Sequence, residues 1–274
     1  MQENAYLALA QREDQGWYYQ ARIQAVKTLI RKFLPRSSGL HILDVGCGTG
    51  GTSHALQPLG QVTGLEPNEL AIRLLRAKYP TLNVVQGTIA ELPSLVEPSS
   101  HDLTTVLGVL YHKNVADPGL ALRTIRAALK PGGWIIWNEA AYPFLAREHD
   151  RFVHGQRRFY PRQMRRLLEE AGFEIQFGSH LLAWAFPIGV ALAVAHSARK
   201  WISTFVPSKP DRDPADDLRL PAFLNSVLRR VTYWEWHASL ARLQFPFGIS
   251  YLVIARNPAP TVELSRHAAC ARAA

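Results

Sequence analysis

The spacing of hydrophobic and polar residues along this chain changes several times and predicts alternating helices and strands. Apolar residues recur at helical spacing over residues 17–34, and Pro35 ends the pattern. A short apolar run at residues 41–45 then leads into glycines, as a buried strand does before a turn. The pattern continues in regular order with helix 51–58, strand 61–65, helix 68–78, strands near 82–86 and 103–108, helix 117–129 and strand 134–138. This order is typical of a parallel sheet with helices on both faces.

The second half of the chain is less regular. Residues 181–195 are apolar throughout, but Pro187 and Gly189 interrupt them, and the run is too short to span a bilayer. The pattern here predicts helix 161–171, strand 173–179, a polar loop at 207–217, an aromatic-rich helix near 221–242, a last strand at 249–256 and a disordered tail at 258–274.

Composition and charge narrow the class of protein. The 274 residues are 47% hydrophobic and 19% charged, which is ordinary for a soluble globular enzyme. With only two cysteines, a disulfide framework or a zinc cluster is not expected, and a reducing cytoplasm is the favoured compartment. The N-terminal residues lack the pattern of a signal peptide. We expect no metal site, because no His/Cys/Asp/Glu spacing suggests one.

The net charge of +9 is unevenly distributed. Residues 37–139 hold 7 Lys/Arg against 8 Asp/Glu, whereas residues 1–36 hold 6 against 3 and residues 140–274 hold 18 against 11. The basic excess suits a phosphorylated substrate, RNA or an anionic membrane surface, and equally a basic surface with no partner.

The most specific signal is a glycine loop at residues 44–51, Asp-Val-Gly-Cys-Gly-Thr-Gly-Gly, between a strand and a helix. Glycines let a backbone turn tightly and approach a ligand closely. Asp44 would repel a pyrophosphate but can help to orient a cationic amino-acid group. Glu66 follows the next strand, 20 residues after Gly46, a spacing at which an acid accepts hydrogen bonds from ribose hydroxyls. The alternative is that Glu66 only caps the helix that starts near Asn68.

These motifs, LDVGCGTGG and GLEP, together with QGTIAELP, HDLTTVLGVLYH and ALKPGGW, resemble the class I S-adenosylmethionine-dependent methyltransferases of the type 11 kind, over residues 17–257. The resemblance implies a Rossmann-like α/β fold, a seven-stranded sheet whose last strand is antiparallel, with a helical cover inserted in the second half. It also implies S-adenosyl-L-methionine as the cofactor. The implied cofactor site comprises Asp44, Gly46, Cys47, Gly48 and Gly50 for the loop, Glu66 for the ribose, Pro67, Thr88 and Ile89 for the adenine, and Leu107 beneath the cofactor.

One position departs from the family pattern. Many relatives carry Asp after the glycine of the third motif, where this chain has Thr88 after Gly87. A hydroxyl can still accept a hydrogen bond from the adenine amino group, so binding is expected to weaken rather than to be lost.

The N-terminal helix carries a second family feature. In similar bacterial enzymes an aromatic cluster and an arginine close over the cofactor, and Tyr18 and Arg22 lie four residues apart on one helix face. The alternative is that Trp17 and Tyr18 anchor the helix in the core.

The expected organisation follows from these assignments. Residues 1–36 form a helical cap over the cofactor, 37–180 the cofactor-binding core, 181–246 a helical cover for the acceptor, and 247–257 the final strand. Large aromatics of the cover are candidates for an apolar pocket, although most are expected in the core: Trp184, Phe186, Trp201, Phe223, Tyr233, Trp234 and Trp236.

Two residues after the fourth strand are candidates for the chemistry. His112 is the first candidate for a general base, and Tyr111 would orient the acceptor. His149 and His154 are second choices, and a lone solvated histidine is the alternative for each. Arg157 and Arg158 are candidates for an anionic group of the acceptor, or belong to a solvated face.

The sequence therefore predicts a methyltransferase that methylates oxygen or carbon of a small-molecule or lipid-like acceptor. It predicts a cytoplasmic location, with peripheral membrane contact as an option. A tRNA wobble-uridine-modifying enzyme is an alternative on the same fold, but no basic–aromatic stripe favours RNA, and DNA is not expected. A non-catalytic membrane-surface protein is the third alternative.

Overall fold

The fold is described from a computed structural model that covers residues 3–146, 150, 154–203, 221–241, 243 and 245–259. The predicted loop at 207–217 and the tail from residue 260 onward lie outside these residues. The strands are β1 Leu40–Val45, β2 Gly60–Glu66, β3 Asn83–Gln86, β4 His101–Leu107, β5 Leu129–Ala140, β6 Glu174–Leu181 and β7 Ser250–Arg256. The helices are α1 Glu3–Arg12, α2 Trp17–Phe33, α3 Gly51–Leu56, α4 Glu69–Lys78, α5 Leu92–Leu95, α6 Pro118–Ala128, α7 Pro161–Glu170, α8 Phe186–Ser203 and α9 Ala222–Leu240.

The seven strands form one sheet in the order β3-β2-β1-β4-β5-β7-β6. Strands β1 to β5 pair in parallel, and β7 runs antiparallel to both β5 and β6. The predicted fold class, with its antiparallel last strand, is confirmed. Because the chain order reverses beside β1, between β2 and β4, the carboxyl ends of these strands form the crevice in which open α/β sheets bind ligands.

Alternating side chains of the strands build two hydrophobic layers, one on each face of the sheet. One layer packs Leu43 and Val106 against α6 and α7. The other packs Ile42 and Leu252 against α2 and α9. Helices on both faces follow from this alternation, because the central strands β1 and β4 are buried on both sides.

The N-terminal region contains two helices, of which the sequence pattern indicated only the second. α1 precedes the predicted helix and lies against α4. The start of α9 reaches the same region, since the backbone N–H of Trp17 donates to Oδ1 of Asn225 at 2.7 Å. No helix within the described residues is both long and apolar enough to cross a membrane.

Candidate active site

A cavity of 2210 Å³ opens at the carboxyl ends of β1, β2, β4 and β5. Pockets for one ligand commonly measure about 300–1,000 Å³, so this cavity has room for a cofactor and an acceptor together. It is lined by nearly all of the residues that the sequence singled out, namely Asp44, Gly46, Cys47, Gly48, Glu66, Pro67, Thr88, Ile89, Leu107, Tyr18, Arg22, Tyr111 and His112. Among the residues assigned to the cofactor site, Gly50 is the one that does not line the cavity. It precedes α3 in a left-handed conformation (φ +92°) and packs against Leu75.

The glycine loop brings bare backbone to the cavity wall. Gly46 and Gly48 have φ values of +67° and +56°, a backbone conformation that residues other than glycine adopt only with strain. A Cβ on Gly46 would lie 2.6 Å from Cγ2 of Val109. The loop is fixed because the N–H groups of Gly46 and Cys47 both donate to the Leu65 carbonyl, at 2.8 and 3.1 Å.

Glu66 ties this loop to two helices. Its Oε2 accepts from the Gly48 N–H at 2.9 Å, and its Oε1 accepts from the Asn68 N–H at 3.1 Å and the Tyr6 hydroxyl at 3.3 Å. Glu66 thus contacts the start of α4 and also lines the cavity. Burial raises its pKa, against the opposing effect of the two backbone N–H groups.

Asp44 is buried at the end of β1. Its carboxylate accepts from the Ser53 hydroxyl at 2.5 Å and the Thr105 hydroxyl at 2.6 Å. Burial raises its pKa, and the two hydroxyls and the Arg22 charge oppose this. The carboxylate therefore joins β1 to α3 and β4 while it forms part of the cavity wall.

At the predicted adenine-binding end of the cavity, the Thr88 hydroxyl already donates its hydrogen to a neighbouring residue. The Thr88 N–H and hydroxyl both donate to Oε2 of Glu91, each at 2.8 Å. The lone pairs of the Thr88 oxygen are what it can offer to a ligand, which agrees with an acceptor role toward an amino group.

Helix α1 contributes cavity residues that the sequence pattern did not reveal. Tyr6, Leu9 and Glu13 line the cavity, and Oε2 of Glu13 accepts from the Gly51 N–H at 2.9 Å. Lys78 holds this helix, since its Nζ lies 2.9 Å from both the Ala10 carbonyl and Oε1 of Glu13. No sequence motif marks these contacts, because the partners are 38 to 68 residues apart.

The opposite end of the cavity carries Arg22, Tyr111 and His112. The Arg22 guanidinium lies 5.5 Å from the ring centre of Tyr18 and 5.7 Å from that of Tyr19. Tyr18 lines the cavity and also packs against the core. Its position is therefore compatible with closing over the cofactor and with anchoring the helix in the core. Burial lowers the pKa of His112 to about 4, so its ring is neutral at physiological pH but is a weak base.

The basic candidates differ in their surroundings. Arg158 is paired with Asp150 at 3.1 Å and donates to the Ala141 carbonyl at 3.3 Å, so its charge is already balanced. Arg157 is half-buried and donates to Oε1 of Gln156 at 3.0 Å and to the Ala116 carbonyl at 3.5 Å. His154 has a left-handed backbone and does not line the cavity. His149 lies outside the described residues.

Glu139 is a cavity residue that the sequence analysis missed. It follows the apolar run Trp134–Trp137 at the end of β5 and is 1% exposed. An acid directly after a buried strand was the available signal.

The aromatic residues of the second half have four kinds of surroundings. Trp184 lines the cavity, and Trp236 lies in the core. Phe186 stacks on Phe247 with ring centres 5.2 Å apart. Phe223, Tyr233 and Trp234 are exposed, and the side chain of Trp201 lies outside the described structure.

The sheet order and a glycine loop with an acid on the next strand define a Rossmann-like nucleoside-cofactor domain. Residues 42–133 match the family model described as methyltransferase domain. Ubiquinone biosynthesis O-methyltransferase of Albidiferax ferrireducens is 34% identical over 107 residues, which are 37% of this chain and 41% of the relative. Demethylmenaquinone methyltransferase of Staphylococcus aureus is 35% identical over 114 residues, 39% of this chain and 46% of the relative. The chain thus spans less than half the length of each of these two relatives.

A solved structure supports the fold over nearly the whole chain. The complex between the Haloferax volcanii Trm112 methyltransferase activator and a methyltransferase matches with a TM-score of 0.57 and 18% identity, covering 92% of this chain and 97% of that chain. The class predicted from the motifs is confirmed for the matched segment: residues 42–133 form a methyltransferase domain of the kind that uses S-adenosyl-L-methionine as its cofactor.

Proposed function

We propose that this protein transfers the methyl group of S-adenosylmethionine to a small-molecule or lipid-like acceptor. The observation that carries the proposal is one continuous cavity, with Glu66 and the glycine loop at one end and Tyr111 and His112 at the other. Methyl transfer needs an acceptor aligned behind the sulfonium methyl, and a shared cavity supplies proximity and orientation.

The cofactor would lie across the ends of β1, β2 and β4. Its ribose would bind Glu66, its adenine would lie beside Pro67, Thr88 and Ile89, and its methionine portion would meet Asp44 and the loop. Residues 1–36 would act as the cap, residues 37–180 and 247–257 as the core, and residues 181–246 as the cover of the acceptor.

The acceptor would lie between Tyr111 and α8, where Ile188 and Leu192 line the cavity. An aromatic or quinol-like acceptor fits this apolar wall, and the names of the two similar enzymes point the same way. Oxygen is the favoured acceptor atom, with carbon as the other candidate. Within the described residues no observation favours the RNA-modifying or the non-catalytic alternative.

Contact with a membrane is the peripheral part of the proposal. Phe223, Val227, Val231 and Trp234 recur along α9 at helical spacing, and Phe223 and Trp234 are 79% and 72% exposed. An exposed apolar stripe next to Arg229 and Arg230 suits an anionic membrane surface, from which a lipid-like acceptor would be taken. Of the two arginines only Arg158 lines the cavity, so an anionic group of the acceptor would meet Arg158 and would compete with Asp150 for its charge.

The experiment that tests the function has two parts. Calorimetry should detect binding of S-adenosylhomocysteine and not of NAD. Methyl-labelled S-adenosylmethionine is then incubated with the protein and a panel of phenols, catechols and hydroquinones, and labelled product is extracted. Failure to bind S-adenosylhomocysteine would refute the proposal.

A further inference from the structure

Glu139 is buried among fixed hydrogen-bond donors at the acceptor end of the cavity. Its Oε1 accepts from the Leu110 N–H at 2.7 Å, the Val109 N–H at 3.0 Å and Nε1 of Trp137 at 3.1 Å. Three donors on one oxygen hold the carboxyl group in a single orientation. The side chain is therefore preorganised rather than mobile.

The second oxygen of this carboxyl group, in contrast, accepts no hydrogen bond from the described residues. Oε2 of Glu139 is buried, and within the described part of the chain it has no hydrogen-bond partner. Buried polar atoms are nearly always paired, and leaving one unpaired is costly. Glu139 is among the residues of the cavity wall, and Oε2 itself is shielded from solvent. A hydroxyl group of a bound acceptor can supply the missing hydrogen bond where the acceptor displaces the side chains that cover this oxygen.

We propose that Glu139 is the general base of the reaction and that the acceptor is a weakly acidic hydroxyl, of the phenol or enol class. This inference rests on the proposed methyl transfer. Oε2 takes the proton of the acceptor hydroxyl while the acceptor oxygen bonds to the methyl carbon. The carbon–sulfur bond breaks with its electron pair on sulfur, giving S-adenosylhomocysteine and a methyl ether. Glu139 then releases the proton to solvent.

The choice of Glu139 over His112 follows from their basicity. Burial raises the pKa of Glu139 to about 7, although hydrogen bonds from Trp137, Leu110 and Val109 and the charge of Arg22 oppose it. Burial lowers the pKa of His112 to about 4. A base is most effective when its pKa lies near the working pH, so the carboxylate is the better base of the two. His112 is left with orienting the acceptor.

The neighbouring charges set the direction of the pH dependence. The base is the carboxylate form, so turnover falls as pH drops below about 7. Tyr111 stays a neutral phenol, since burial and the Glu139 charge raise its pKa. The titratable or charged groups that share the cavity wall or lie opposite in the sheet register come from every neighbouring element. They are Tyr6, Arg12 and Glu13 on or directly after α1, Tyr18, Tyr19 and Arg22 on α2, Asp44 on β1 and Cys47 after it, Glu66 on β2, Tyr111, His112 and Asp117 after β4, Asp150 and Arg158 after β5, and Tyr251 on β7.

The test compares two isosteric substitutions of buried glutamates. Glu139→Gln keeps an oxygen for the three donors but removes the base. Glu235→Gln is the matched control, because Glu235 on α9 also accepts a backbone N–H, from Trp184 at 3.2 Å, and also has one buried unpaired oxygen in the described structure, but does not line the cavity. Catechol, 1,4-naphthohydroquinone and 4-nitrophenol serve as acceptors from about pH 5 to about pH 9.

We expect Glu139→Gln to lower kcat by about 100-fold or more, with affinity for S-adenosylhomocysteine within about threefold and Glu235→Gln near wild type. Wild-type kcat should be half-maximal near pH 7 and reach its plateau about one pH unit higher. With catechol, which is far less acidic than 4-nitrophenol, the residual activity of Glu139→Gln should lack this acid limb. A Glu139→Gln enzyme within a few-fold of wild type would overturn the proposal. So would a wild-type profile without this acid limb, a result that stands even if the variant fails to fold. Binding of S-adenosylhomocysteine without methylation of any of the three acceptors would overturn this inference alone, whereas absence of binding would overturn the proposed function.

Discussion

Replacement of Glu66 by alanine tests the cofactor site most sharply, because the structure shows how many hydrogen bonds this side chain has left to give. An ionised carboxylate has about four acceptor positions. Three are filled by the Gly48 N–H, the Asn68 N–H and the Tyr6 hydroxyl. One position, on Oε2, is therefore open to a ribose hydroxyl.

A second ribose hydroxyl must displace one of the present donors. Tyr6 is the one to leave, because its bond is the longest at 3.3 Å and its donor is a side chain rather than fixed backbone. Cofactor binding then adds one new hydrogen bond to a charged group and exchanges another. The new bond contributes about 1.5–3 kcal/mol, so Glu66→Ala should weaken binding by about 10- to 150-fold.

Calorimetric titration with S-adenosylhomocysteine measures this loss directly. Glu69→Ala is the matched control, since Glu69 lies on the adjacent turn, is exposed, and does not line the cavity. Urea unfolding should show that Glu66→Ala also loses about 1–3 kcal/mol of stability, because the Gly48 and Asn68 N–H groups lose their partner. A dissociation constant within twofold of wild type would refute the assignment of the ribose to Glu66.

Four further predictions follow from the same contacts. Gly46→Ala should lower the free energy of unfolding, measured in urea, by about 2–4 kcal/mol, and Gly39→Ala should lower it by only about 1 kcal/mol. Both glycines have positive φ, but only at Gly46 would the added Cβ meet Val109. Equal losses for the two variants would contradict this reasoning. Glu139→Gln should stabilise the protein above pH 7 and not near pH 4. The reason is that the raised pKa of Glu139 makes the wild-type free energy of unfolding fall by up to about 3 kcal/mol as pH rises from about 4.5 to about 7. Parallel curves of stability against pH for the two proteins would refute this prediction. Lys78→Ala should speed amide exchange in α1, whereas Arg73→Ala, which removes only an exposed ion pair at 3.6 Å, should not; unchanged exchange would show that Lys78 does not hold the helix. His112→Ala should lower kcat less than Glu139→Gln does, and the reverse order would restore His112 as the base.

The sequence was sufficient for the sheet, because the elements that build it are locally encoded. Glycines follow strand β1, and short apolar runs alternate with segments of helical spacing between residues 40 and 140. The cofactor loop was also readable, since its glycines and Glu66 stand at fixed distances along the chain. All of the predicted loop residues except Gly50 line the cavity.

The features that escaped sequence analysis depend on contacts between distant segments. Tyr6 meets Glu66 across 60 residues, and α1 has a weak apolar pattern of its own. The Arg158 charge is balanced by Asp150, a pairing that no spacing rule predicts. In the sequence Glu139 is only the residue near the end of a strand. What sets it apart is that Oε1 accepts hydrogen bonds while Oε2 has no partner in the described structure, and only the folded chain shows this difference.

A crystal structure of the protein with S-adenosylhomocysteine is the most direct test of the central claim. The account predicts the ribose hydroxyls on the Glu66 carboxylate with the Tyr6 hydroxyl displaced, the adenine beside Ile89, and the sulfur facing the space between Tyr111 and Glu139. A ligand bound elsewhere, or bound here with its ribose away from Glu66, would contradict it.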